Sequence, residues 1–262
     1  MRYAVFMPPR RRGILVTCVL AAVATAAPGP VPASPPLNVL VFTRTAAFRH
    51  ESIPAGVAAI RSLGAERGLV VTATEDAGVF TDAGLSDFDT VVFLSTSGDV
   101  LNLRQQAAFE RYVHSGGGYV GIHAAADTEY DWPWYGRLVG AYFKSHAAIR
   151  DAVIEVVDRT HPSTSMLPHR WSRRDEWYDY RSELPGSVHV LLTLDGHRDE
   201  AESMGNRHPI AWCHDYDGGR SWYTGGGHTI ESWSEPLFLK HVLGGILWAA
   251  GTRPVTSPPA PQ

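Results

Sequence analysis

Thr90-Val-Val-Phe-Leu-Ser95, then Asn102–Ser115, then Tyr119-Val-Gly-Ile122 ending at His123, is the stretch that decides the fold. Thr90–Ser95 is apolar on both faces, the pattern of a strand buried on both sides. Asn102–Ser115 puts Leu103, Ala107, Phe109, Tyr112 and Val113 at helical spacing, and Gly116-Gly-Gly118 stops it. Tyr119–Ile122 is then a second buried strand. Strand, helix and strand in succession are the unit of a parallel sheet with helices on its faces.

Upstream the pattern repeats. Leu37–Thr43 reads as a strand, Pro54–Arg67 as a helix with Val57, Ile60 and Leu63 apolar, and Leu69–Ala73 as another strand. Downstream of about residue 147 it changes. Ile149–Val157, Val188–Leu194, Ile210–Tyr216 and Arg220–Gly225 are strand candidates with no long helix between them, so an antiparallel extension is expected. Pro236–Ala250 reads as a closing helix. The expected class is α/β, a mostly parallel sheet with an antiparallel extension, in one domain over residues 37–251.

The ends read differently. Arg10-Arg-Arg12, the apolar run Gly13–Val23 and Ala24-Thr-Ala26 have the order of a secretory signal peptide, with cleavage expected near Ala26. Residues 27–36 then form a Pro-rich linker, and 252–262 a Pro-rich tail. The expected location is extracytoplasmic. Residues 1–26 carry four Arg and no acid, so the remainder holds 19 basic and 27 acidic residues, about −8 in net charge. It also holds one cysteine, Cys213, which has no partner for a disulfide within the mature chain.

The full chain has 262 residues, 44% of them apolar, so a complete core can form. Its net charge of −4 and its two lysines, Lys144 and Lys240, argue against a nucleic-acid binder, which needs clustered cations on phosphate. No apolar run after the start is long enough for membrane insertion.

Histidines carry the strongest chemical signal. His50 follows the first strand, His123 ends the fourth, His146 closes Tyr142-Phe-Lys-Ser-His, and His228 follows Gly225-Gly-Gly227. Ligands of open parallel sheets bind at the carboxyl ends of strands, so at least two of these imidazoles are expected in one pocket. Imidazole titrates near working pH and serves as acid or base. The chain has no H-E-x-x-H, Cys cluster or calcium loop. A divalent metal, zinc or manganese, held by His with Asp175 or Glu176, stays open as a cofactor. The Gly-rich turns lack the Lys-Ser/Thr of a nucleotide cradle. Tyr130-Asp-Trp-Pro-Trp-Tyr135 is too polar and Pro-broken for a plain core helix, and aromatic faces beside carboxylates suit a small carbohydrate ligand.

Five ordered motifs carry a family resemblance. Leu40–His50, Gly117–Ala125, Asp131–Ala141, Asp175-Glu-Trp-Tyr178 and Gly219–His228 resemble the ThuA-like (trehalose utilisation) family. The resemblance implies a three-layer, flavodoxin-like fold of the class I glutamine-amidotransferase type and a role in the catabolism of sugars, glycosides or keto-sugars. It also implies a departure. Gly121-Ile-His-Ala-Ala125 has His123 where those amidotransferases carry a nucleophilic Cys, so glutamine hydrolysis is not expected. His228 falls near the amidotransferase His, with Glu231 three residues on rather than two.

The expected site therefore has His123 and His228 as acid/base groups, Glu176 as base or ligand, and Asp175 as orienter. His50, Arg49, Asp127 and His146 are expected at the substrate. Trp132, Trp134, Tyr135 and Tyr178 would form a sugar platform. Two rivals stand beside an exported enzyme. One is a non-catalytic carbohydrate-binding protein. The other is a hydrolase pairing Asp175 or Glu176 with Asp127 or Glu129, since adjacent strand residues face opposite ways.

Overall fold

Along the central strands, successive side chains enter two different cores. Val39 and Val41 join one, Leu40 and Phe42 the other, and Val92 and Leu94 are likewise separated from Val91 and Phe93. This period of two is what a pleated strand buried on both faces requires. In this computed structural model the chain divides into Met1–Pro35 and Pro36–Gln262. The structure describes Met1, Tyr3, Ala4 and residues 36–195 and 208–251. The leader expected over 1–26, but for its first few residues, and the tail from 252 lie outside the described residues.

The chain runs β1 (Asn38–Phe42), α1 (Ile53–Arg67), β2 (Val70–Thr74), α2 (Asp82–Leu85), β3 (Thr90–Leu94), α3 (Leu103–His114) and β4 (Gly118–Ile122). It continues through α4 (Pro133–Val139), β5 (Phe143–His146), β6 (Arg150–Val156), β7 (Arg170–Asp175), β8 (Tyr178–Tyr180) and β9 (His189–Leu194). It closes with β10 (His208–Tyr216), β11 (Gly219–Thr224) and α5 (Pro236–Ala249). Nine strands form one sheet in the order β2-β1-β3-β4-β11-β10-β9-β6-β7, and β5 pairs with β8 separately. Pairing is parallel from β2 to β11 and antiparallel from β11 to β7. The expected α/β sheet with an antiparallel extension is the observed one.

Helices cover both faces. Ile60 of α1 and Phe238, Val242 and Ile246 of α5 pack into one core. Phe109, Tyr112 and Val113 of α3 and Leu138 and Val139 of α4 pack into the other. Helix α3 begins with a reciprocal cap: Asn102 accepts from the Gln105 amide, and Gln105 accepts from that of Asn102.

Three short strands escaped the sequence reading: β5, β7 and β8. The reason is clearest in β7, Arg170-Trp-Ser-Arg-Arg-Asp175, whose charges read as a surface run. Its alternate residues Trp171, Arg173 and Asp175 are buried. The Arg173 guanidinium lies 5.0 Å from the Trp171 ring centroid and 4.4 Å from that of Phe238. Tyr130–Tyr135, read as too polar for the core, also contributes to it. Trp132 is 7% exposed and Tyr135 fully buried, because their polar tips are satisfied by the Glu110 carboxylate and the Ala125 carbonyl.

Candidate functional site

The parallel strands β1, β4 and β11 each end in a loop that delivers a histidine. His50 comes from the loop after β1, His123 directly follows β4, and His228 follows β11. The fourth member, Glu176, lies between β7 and β8 at the far antiparallel edge. One ligand atom from each of His50, His123, Glu176 and His228 lies within 4.8 Å of all the others.

His123 is the centre of the arrangement. Its φ of 51° places a bulky residue in left-handed backbone, a conformation that costs energy and is held by its surroundings. Those surroundings are its own carbonyl, which accepts the Tyr223 hydroxyl at 2.9 Å, and its Nδ1, which lies 2.8 Å from the Gly225 carbonyl oxygen. A carbonyl only accepts, so Nδ1 carries the proton, and in the neutral ring Nε2 presents a lone pair. That Nε2 is 3.0 Å from His228 Nδ1 and 3.4 Å from Glu176 Oε2. His228 Nδ1 is in turn 3.0 Å from Glu176 Oε2. One N–H of His228 therefore faces two acceptors.

The remaining Glu176 oxygen, Oε1, pairs with His146 Nδ1 at 2.9 Å. His146 is the more exposed wall of the site, on β5. His50 stands edge-on to His123 and His228, with ring centroids 4.8 and 5.0 Å away. Its buried Nδ1 has no hydrogen-bond partner among the described residues.

Burial works to raise the Glu176 carboxyl, but the hydrogen bond from His228 and the surrounding imidazoles outweigh it and hold the group ionised well below the usual carboxylate range. Burial likewise works to lower His228, but its bond to Glu176 prevails and the ring is raised. Burial and the neighbouring rings of His123 and His228 push His50 down to about 3, so it is neutral. The site thus offers an ionised carboxylate, an imidazole favouring its protonated form, and a neutral imidazole.

Asp175 reaches none of these rings. It is fully buried and takes the amide N–H groups of Gly227 (2.8 Å) and His228 (3.1 Å) and the Ser232 hydroxyl (3.0 Å). It therefore fixes the loop that aims His228. Gly227 has φ 107°, and a Cβ there would sit 3.2–3.3 Å from Ile122, Phe238 and Trp233. Gly227→Ala is expected to lower the unfolding free energy by about 1–3 kcal/mol, read as a shift in the urea midpoint.

Several expected members lie elsewhere. Arg49 points away to pair with Glu75 at 2.7 Å on the surface. Asp127 accepts the Tyr130 hydroxyl at 2.5 Å, on the side facing β5. Trp132 and Tyr135 belong to the core between α3 and α4, and Trp134 stacks on Trp132 and donates to Asp217. None of their ring or hydrogen-bond contacts reaches the histidines, so the expected indole platform is not there. Glu129 binds the amides of Val100 and Leu101 and the Gln106 side chain, a structural task. Glu231, which lies three residues after His228 where the amidotransferase spacing is two, is exposed, and the acid beside His228 is Glu176.

The rings that do border the cluster are Tyr178, 4.2 Å from His123, and Phe48, edge-on to His50 at 4.8 Å. Phe48 is 63% exposed and was missed; its signal was its place two residues before a histidine in a strand-end loop. Cys213 is buried on β10, and burial pushes its thiol up to about 12, so it is no nucleophile.

The sequence matches the ThuA family, described as trehalose utilisation, over residues 38–249. The chain belongs to the ThuA family. Two solved ThuA-like proteins resemble it in structure. The one from Parabacteroides merdae has a TM-score of 0.72 at 24% identity, covering 86% of this chain and 94% of its own. The one from Bacteroides uniformis has a TM-score of 0.71 at 22% identity, covering 85% and 95%. A β-galactosidase from Bacillus circulans shares the fold over 84% of this chain but only 32% of its own, with a TM-score of 0.54 at 12% identity. At these identities the likeness is one of fold. No curated protein matches the sequence. Within this ThuA chain, among the described residues, no helix is long and apolar enough to cross a membrane.

Proposed function

We propose that this ThuA protein is an exported enzyme of carbohydrate catabolism that moves a proton on a sugar, glycoside or keto-sugar. The observation that carries the reading is the meeting of His123, His228 and Glu176 within 3.0–3.4 Å at the carboxyl end of the sheet. A keto-sugar has an acidic proton next to its carbonyl, and removing it needs a base on one side and a proton donor at the developing oxyanion. His123, with its Nε2 lone pair, is the base. His228, whose protonated form Glu176 favours, is the donor. His50 and His146 flank the substrate, and the exposed face of Phe48 replaces the missing indoles as a stacking surface.

The carbohydrate class rests on the family, and export rests on the leader in the sequence. The rival reading, a binding protein without turnover, has no comparable support. A pure sugar site gains nothing from a backbone-strained imidazole locked in one tautomer.

Purified protein incubated with a panel of disaccharides and 3-keto-glycosides, with and without zinc or manganese, is expected to convert at least one of them, followed by NMR. His123→Gln is expected to lower that rate by about 100-fold or more while leaving the fold intact. A panel returned unchanged under every condition removes the reading.

A further inference from the structure

We infer that His50, His123, Glu176 and His228 form a binding site for one divalent transition-metal ion, with zinc(II) the best-fitting ion. This deepens the reading of the same site and rests on it only for what the ion would do; with the ion bound, His123 and His228 are its ligands, and the base and donor roles given above belong to the ion-free protein.

Three features favour an ion over a set of shared protons. The first is spacing. His123 Nε2, His228 Nδ1 and Glu176 Oε2 form a triangle with edges of 3.0, 3.0 and 3.4 Å. Four ligands placed tetrahedrally about zinc at its usual bond lengths lie roughly 3.3 Å apart. With His50 counted, all four ligand atoms remain within 4.8 Å of one another, slightly more than two zinc–ligand bonds span, so His50 has only to close in by a fraction of an ångström to join the centre.

The second is the unpartnered nitrogen of His50. The buried Nδ1 of His50 lacks a hydrogen-bond partner among the described residues, although the ring lies against two other imidazoles. A buried polar atom without a partner is costly and rarely tolerated without reason. Protons shared among His123, His228 and Glu176 leave His50 unexplained. An ion gives a ring held in this place a partner.

The third is the outer support. Nδ1 of His123 bonds the Gly225 carbonyl, which turns Nε2 into an obligate lone-pair donor, as the outer partners of metal-bound histidines do. Asp175 holds the His228 backbone, and His146 engages the Glu176 oxygen that faces away from the triangle. Three nitrogens and one carboxylate oxygen form a borderline set that suits zinc above magnesium or calcium, which prefer all-oxygen shells.

Direct titration tests this without any sugar. Chelator-stripped protein, followed by calorimetry, is expected to take up one zinc ion per chain, and to bind manganese at least about 10-fold more weakly. Glu176→Gln keeps the shape of the side chain and is expected to weaken zinc binding about 100-fold, as is His123→Ala. His189→Ala, which removes a surface histidine paired with Asp158, is expected to change nothing. Should a ligand variant fail to fold, the wild-type protein loaded with cobalt(II) decides the matter: intense visible bands of a low-coordinate site with nitrogen ligands support the inference, and a weak hydrated-ion spectrum overturns it. Absence of stoichiometric uptake overturns it too, as does zinc binding that survives both ligand variants but is lost in His189→Ala. Stoichiometric zinc without sugar turnover upholds this inference and removes the sugar reading. Turnover by protein that takes up no ion does the reverse.

Discussion

Asp175→Asn is expected to lower the unfolding free energy by about 3 kcal/mol, although it alters neither the size nor the shape of the side chain. The carboxylate is fully buried and lies 3.1 Å from the Arg173 guanidinium, which is itself almost completely buried. Removing the charge leaves Arg173 with Glu235 as its remaining acid, at 3.0 Å. An uncompensated buried cation is among the most expensive defects a fold can carry. The amide also replaces an acceptor with an N–H group at a place where Gly227, His228 and Ser232 all donate. At least one of those bonds must break, and the His228 loop must move. Urea unfolding of both proteins at pH 7.5 measures the effect. An unchanged midpoint would mean that Glu235 alone balances Arg173 and that Asp175 does not hold the loop. A His228 ring signal that shifts in NMR spectra of the folded variant would locate the damage in the candidate site.

Acid should destabilise the fold through two buried histidines outside the candidate cluster. Burial pushes His161 down to about 4, aided by His189 and opposed by Asp158. Burial pushes His241 down to about 3, aided by Arg173 and His161 and opposed by its bond to the Ser163 carbonyl. Both rings are neutral by their hydrogen bonds. His161 Nδ1 accepts from the Ser163 amide, and His241 donates to the Ser163 carbonyl while accepting from the Thr224 hydroxyl. In the unfolded chain each titrates near 6.5. Below that pH the unfolded state binds more protons than the folded one, so stability is full above pH 6.5 and falls as pH drops toward 4. At pH 4.5 the loss is roughly 2–3 kcal/mol for each ring. Urea midpoints across pH 7.5 to 4.5 measure it. His241→Asn is expected to flatten the acid limb by about one proton relative to wild type. An equal slope in both proteins would remove His241 from the account.

The parallel half of the fold was legible because its rules are local. Thr90–Leu94 and Gly118–Ile122 are uniformly apolar, and the helix between them announces its start with Asn102 and Gln105. The histidines at the ends of β1, β4 and β11 could be assigned to one rim from topology alone, since parallel strands all point their carboxyl ends the same way. The antiparallel half was harder. Strand β7 hid behind four charged residues, because nothing local tells a solvated arginine from one sandwiched between Trp171 and Phe238. The aromatic run Trp132–Tyr135 misled for the opposite reason. Its polar neighbours suggested a surface site, but its hydroxyl and indole N–H groups had acceptors waiting at the buried Ala125 carbonyl and the half-buried Glu110 carboxylate.

The amino-acid order by itself determined the strand–helix alternation, the rim on which ligands gather and three of the histidines on it. It set Glu176 among them as base or ligand, but held no reason why a residue from that part of the chain should reach the rim. Strand β7 is four strands from β11 in the sheet, about 19 Å away if the sheet were flat. Yet Asp175 at the end of β7 bonds the Gly227 amide at 2.8 Å, and Glu176 beside it meets His228 at 3.0 Å. The antiparallel half must curl back over α5, as strand twist favours and as the bonds from Trp171 and Arg173 to Glu235 secure. That curvature is a property of the assembled sheet, summed over every strand between, and no single segment encodes it.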